Sequence, residues 1–167
     1  MIFILNQQIK GTEKMLQLKK LSVILVLLIS SNCYAKDDPF KPVQDLFAAM
    51  SAIDHARMKN AVTKDFQLLE AGEDWDMSDL IKVINPSEYK RRNFFNVVRT
   101  EISGNIAWMS YWNKATFTKG ETQEAVAWLE SAVMVKENEQ WKIQMLHSTK
   151  IEAENIPKEL KLTEYVE

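Results

Sequence analysis

Cysteine is the scarcest residue, with Cys33 the single one among 167. A chain with one thiol near its start has no disulfide framework and no thiolate metal site. Histidine is nearly as rare: His55 and His147 stand far apart, and no two-histidine spacing on one element could chelate a metal. His55 follows Asp54 and reads as a surface or rim residue. Only four glycines and four prolines occur. They form no Gly-rich phosphate loop and no nucleophile elbow, which excludes nucleotide cofactors and serine-based hydrolysis. No cofactor and no metal is implied.

Long hydrophobic runs are also lacking, with one exception at residues 21–29. Lys19 and Lys20, with Lys10 and Lys14 behind them, precede that run, and Ser30-Ser31-Asn32-Cys33-Tyr34-Ala35 follows it. This is the layout of a secretory signal cleaved after Ala35. A membrane span would need about 20 apolar residues, and the run has roughly half of that. Lipid attachment at Cys33 is disfavoured because Asn32 stands where a small residue is wanted. Met15 can serve as the initiator, since the residues before it are not needed for export. The expected location is therefore outside the cytoplasm, periplasmic or secreted, with no membrane contact after cleavage.

Cleavage removes four lysines and Glu13, leaving 17 basic and 22 acidic residues and a net charge of −5. An acidic chain is a poor partner for nucleic acid. Lys90-Arg91-Arg92 is the only basic cluster and reads as a solvated edge. About 130 residues suit one domain with a real core, with residues 36–42 as a linker, 43–155 as the domain and 156–167 as a polar tail.

Apolar residues at three- and four-residue spacings (Val43, Leu46, Phe47, Met50, Ile53, Met58) predict a helix over 43–58. A short helical turn is expected from Asn60 and a strand over 65–70. A further helix over 77–84 is capped by Asp76 or Ser78 and stopped by Asn85-Pro86. From residue 91 onward the period becomes two. Four long strands are expected over 92–102, 105–118, 122–137 and 140–152, separated by turns at Ser103-Gly104, Lys119-Gly120 and Asn138-Glu139. The fold class is α+β, with helices packed on one face of a mainly antiparallel sheet.

Two-residue turns at those three places set a register. Glu130 then faces His147 and Met109, Trp128 faces Tyr111, Ala132 faces Met145, and Asn96 faces Tyr111. One sheet face would carry Phe94, Asn96, Val98, Met109, Tyr111, Trp128, Glu130, Ala132, Met134, Trp141, Ile143, Met145 and His147. A carboxylate in such apolar company costs several kcal/mol unless paired, and a facing imidazole would supply the pair. Glu130 and His147 are thus the candidate catalytic pair. Asn96, Met109, Tyr111, Trp128, Met145 and Glu70 are candidate ligand contacts.

The order of elements resembles the nuclear transport factor 2-like superfamily, in particular its SnoaL-like bacterial branch, over roughly residues 43–151. Two stretches carry the resemblance: Phe66-Gln67-Leu68-Leu69-Glu70-Ala71-Gly72-Glu73-Asp74-Trp75, and Trp141-Lys142-Ile143-Gln144-Met145-Leu146-His147-Ser148. It implies helices lying in the concave face of a strongly curved sheet, with an apolar pocket between them. It also implies a homodimer through the outer sheet face, where Trp108, Trp112, Leu129, Val133 and Leu146 are expected. Such domains bind small hydrophobic molecules, act as isomerases or dehydratases, or serve as structural dimerisation modules. The chain matches none of the catalytic sets of those enzymes residue by residue. Binding is the leading expectation. Catalysis with Glu130 as general base, His147 as its partner and Tyr111 or Asn96 as oxyanion donors is the alternative.

Overall fold

The structure is a computed structural model that describes residues 37–166; the expected signal peptide lies outside them. Helix α1 (Lys41–Ala52) has Pro42 in its first turn, where a missing N–H costs nothing. Its apolar stripe buries Val43, Leu46, Phe47 and Ala49. The helix expected over 43–58 is in fact two. Ile53 adopts a left-handed backbone (φ +56°) that ends α1, and Asp54 caps α2 (His55–Asn60) through the Arg57 N–H. The helical turn expected from Asn60 is not formed either: strand β1 (Val62–Glu70) already begins at Val62. A short β2 (Glu73–Trp75) returns antiparallel to it. Helix α3 (Met77–Val83) follows, with Asp76 and Asp79 in a reciprocal capping box.

The four long strands stand close to where their alternation puts them: β3 (Lys90–Ser103), β4 (Ile106–Lys119), β5 (Thr122–Glu137) and β6 (Gln140–Ile151). The tail adds β7 (Thr163–Glu164), which pairs with β3. Arg92 clamps the Glu164 carboxylate, its Nε donating at 2.6 Å. The sheet runs β2-β1-β6-β5-β4-β3-β7. All neighbours are antiparallel except β1 and β6, which are parallel. This is the expected α+β architecture.

Register decides which side chains meet the helices. The β5–β6 turn is the expected Asn138-Glu139, both residues at positive φ, as a tight hairpin requires. Met134 accordingly pairs with Ile143. At the very next pair the register slips: Val133 pairs with Met145 and Glu130 with Ser148, leaving Gln144 as an extra residue on β6. Bulges of this kind bend a strand and re-aim the side chains beyond them. Gln144 sits where β1 also departs from β6, between Val62 and Gln67. Its side chain fills that gap, accepting from Thr63 Oγ1 at 2.9 Å and donating to the Asp65 carbonyl at 3.1 Å.

A second slip lies in β3, where Arg99 pairs with Ser110 but Val97 with Tyr111, so Val98 is the extra residue. Beyond it, Phe95, Asn93 and Arg91 turn inward in place of the expected Phe94, Asn96 and Val98. The other two turns centre on Gly104-Asn105 and Gly120-Glu121, one residue later than expected. Tyr111 therefore pairs with Glu130, and Asn113 with Trp128.

The core packs α1 and α2 on this face. Phe40, Phe47, Phe95 and Tyr111 form an aromatic cluster with edge-to-face contacts as close as 5.0 Å between centroids. Met58, Met109 and Met134 are fully enclosed around it.

Candidate functional site

Glu130 lies mid-strand on β5, facing the helices, and is 4% exposed. Position 130 shares its face with Ala132 and Met134 because strand side chains alternate. A carboxyl this deep must find donors. Ser148 on β6 donates its hydroxyl to one oxygen at 2.5 Å, and Asn113 on β4 donates its amide to the other at 3.1 Å. Tyr111, the cross-strand neighbour, has its buried hydroxyl beside the same carboxyl without hydrogen-bond geometry to any partner. Asn113 Oδ1 is also buried and unpartnered.

Burial pushes the Glu130 carboxyl up to about 7; the Ser148 hydrogen bond, the adjacent Tyr111 hydroxyl dipole and the Asn113 hydrogen bond oppose the rise, and the Glu70 charge adds to it. Burial dominates because three neutral dipoles do not replace the hydration of a full charge. Glu130 therefore changes protonation in the neutral range. Tyr111 is pushed further above its ordinary value by the same burial and by the Glu130 charge, so it stays a neutral phenol.

Beside Glu130 a cavity of about 80 Å³ opens between sheet and helices. Leu46, Phe47 and Met50 of α1, Leu80 of α3, Leu68 and Glu70 of β1, Arg91 of β3, Trp128 and Glu130 of β5, and Leu146 and Ser148 of β6 line it. At about 30 Å³ per water, the space suits two or three waters or an organic molecule of a few heavy atoms. Drug-sized ligands need several hundred Å³. The cluster of Phe40, Phe47, Phe95 and Tyr111 occupies core volume that a larger cup would leave open.

Arg91 was expected at a solvated edge. Instead its guanidinium lies between the rings of Phe47 and Phe117, 5.4 and 5.5 Å from their centroids. Its Nε donates to Asn93 Oδ1 at 2.8 Å. Burial pulls the guanidinium down to about 10, against the charges of Glu130 and Glu70, and it remains protonated at neutral pH.

Of the expected site residues, Glu130, Trp128 and Glu70 line the cavity together, and Trp128 Nε1 donates to Glu70 at 3.2 Å. Tyr111 adjoins Glu130, while Met109 is fully buried in the core away from the cavity lining. Three others are corrections. His147 pairs with Ser131 instead of facing Glu130, is exposed, and borders an open groove with Glu73 and Asp74. The Gln144 bulge moved it there. The same bulge turns Met145 away, into a surface groove with Asp65 and Asp79, and brings Leu146 inward in its place. Asn96 is turned away by the β3 bulge and donates to the Lys161 carbonyl at 3.0 Å. Among the described residues no imidazole faces Glu130. Asn113, Ser148 and Arg91 were missed. Asn113 was legible two residues beyond Tyr111 on one strand face; Ser148 and Arg91 required the bulges.

The opposite sheet face exposes Trp108 and Leu129, and the β3–β4 end exposes Val97, Val98, Ile102 and Ile106. Leu146 was expected outside but is buried.

No family model and no curated protein matches the sequence. Solved structures do. The C. elegans CaMKII association domain is 14% identical with a TM-score of 0.54, covering 80% of this chain and 96% of its own. The S. rosetta CaMKII hub is 15% identical with a TM-score of 0.56, covering 67% and 93%. A ketosteroid isomerase-like protein from Erwinia carotovora atroseptica is 14% identical with a TM-score of 0.52, covering 67% and 92%. At such identities the likeness defines the fold alone: it is the nuclear transport factor 2-like fold.

Proposed function

We propose that this chain is an exported member of the SnoaL-like branch whose cup binds a small, partly apolar molecule against the Glu130 carboxyl. One observation carries the reading: a carboxyl 4% exposed stands on the wall of a cavity otherwise lined mostly by aliphatic and aromatic carbon. A buried carboxyl without a paired cation costs stability even when hydrogen-bonded, and such a group beside free space is the mark of a binding site. The volume restricts the ligand to a few heavy atoms and disfavours a polycyclic substrate.

The test is a thermal-shift and calorimetric screen of two- to five-carbon acids, amides, alcohols and ketones. Saturable binding of any class that Leu46→Trp blocks, by filling the cup, supports the reading. If no compound binds, or binding survives that substitution, the reading fails.

Catalysis is the second reading, favoured by the position of the Glu130 titration near 7. A general base works best with a pKa near the operating pH. Glu130 would take a proton from the carbon beside a carbonyl, with Arg91 donating to the developing oxyanion. Solvent deuterium exchange into a small ketone, followed by NMR, should rise through pH 7 and vanish in Glu130→Gln. Self-association through Trp108 and Leu129 is compatible with either reading.

A further inference from the structure

We propose that the cup's ligand is a small aliphatic monocarboxylate, its carboxylate held by the Arg91 guanidinium and its alkyl end by the leucines. The proposal rests on the reading of the cup as a binding site and adds the ligand's chemistry.

Arg91 presents donors without acceptors to the cavity. A guanidinium carries five N–H groups, and here one of them, on Nε, is bonded within the chain. The four on the Nη atoms have no hydrogen bond among the described residues, although Arg91 lines the cavity and is covered by two phenyl rings. Neither Glu70 nor Glu130 closes an ion pair with it, since Trp128 engages Glu70 while Ser148 and Asn113 engage Glu130. Arginine's planar fork matches a carboxylate in two parallel bonds. Leu46, Met50, Leu68, Leu80 and Leu146 supply an apolar surface suited to a short alkyl chain. A chain of two to four carbons fits about 80 Å³.

Charge sets the conditions. The titratable or charged groups around the cavity are Glu130 on β5, Tyr111 on β4, Arg91 on β3 and Glu70 on β1. Ser148 of β6 and the α1 and α3 residues Leu46, Phe47, Met50 and Leu80 add no charge. With Glu130 protonated, the walls carry Arg91 and Glu70 in balance, and an anion can dock on the guanidinium. With Glu130 ionised, a second negative charge faces the same space and repels the ligand. Only the protonated form is competent, so apparent affinity follows its fraction.

The test is calorimetric titration of the purified protein with propionate, propionamide and propan-1-ol at pH 6 and pH 8. Propionate should bind about tenfold more tightly at pH 6, in step with the protonated fraction, and at least about tenfold more tightly than the two uncharged probes. Arg91→Met should abolish binding, with its thermal melt checking that it folds. Glu130→Gln, a neutral isostere, should bind propionate equally at both pH values. If propionamide or propanol binds as tightly as propionate, or Arg91→Met or Arg91→Lys retains full affinity, the carboxylate assignment is overturned while the cup reading stands. If none of the three probes binds at either pH, the carboxylate assignment is overturned, and the wider screen of acids, amides, alcohols and ketones decides the cup reading separately.

Discussion

Replacing Glu130 by glutamine should make the protein more stable at pH 8 and no more stable at pH 4. The carboxyl ionises near 7 in the fold against an ordinary 4.5. The folded state thus holds a proton between pH 4.5 and 7 that the unfolded chain has released. Stability falls wherever the native state binds more protons, so the loss begins near pH 4.5, grows by about 1.4 kcal/mol per pH unit and levels off above pH 7. The whole loss is about 3 kcal/mol, a large part of the stability of an ordinary domain.

Glutamine removes that dependence and keeps the shape. Its amide oxygen can accept from Ser148, and its amide nitrogen can donate to Asn113 Oδ1 or the Tyr111 hydroxyl, both without partners now. Urea unfolding followed by tryptophan fluorescence at pH 5, 6, 7 and 8 provides the assay. Subtracting the variant's profile from the parent's should leave a one-proton slope confined to that window. Parallel profiles would mean that Glu130 titrates like a solvated carboxyl, and the desolvation argument would be refuted.

Three further outcomes follow from other parts of the fold. Asp76→Ala removes two capping hydrogen bonds to Ser78 and Asp79 and should cost about 1 kcal/mol in urea unfolding. Gln144→Ala empties the gap between β1 and β6 and should cost about 1–2 kcal/mol for the two lost hydrogen bonds, with amide exchange accelerated in residues 62–66. If the exposed Trp108 and Leu129 mediate self-association, the double substitution Trp108→Glu, Leu129→Glu should halve the sedimentation mass without lowering the melting temperature. A parent protein already monomeric at micromolar concentration would contradict that.

Most of the architecture was legible because alternation and turn residues act locally. The four long strands and the helix capped at Asp76 needed no knowledge of tertiary contacts. The site was only half legible, and the two kinds of register error explain why. Placing a two-residue turn one position early at Lys119-Gly120 displaces the pairing by two residues. Tyr111 then trades Trp128 for Glu130, but both remain on the same face. A bulge displaces it by one and inverts every residue beyond. Gln144 and Val98 have no local mark as bulge residues, since their extra position arises from how β1 meets β6 and how β3 follows β4.

Those two positions removed His147, Met145 and Asn96 from the site and brought in Ser148 and Arg91. The basic run Lys90-Arg91-Arg92 shows the same limit. Its composition reads as solvated, yet alternation sends the middle residue inward and leaves the outer two exposed. The break at Ile53 was equally hidden, because the left-handed residue ending α1 is β-branched instead of the glycine that usually marks such a cap.

The most direct test of the account is a carbon-13 NMR titration of the Glu130 side-chain carboxyl in the intact protein. The expected midpoint lies near 7 and is displaced when Ser148→Ala removes its shortest hydrogen bond. A midpoint near 4.5 with no response to Ser148 would place that carboxyl in water and contradict the site built around it.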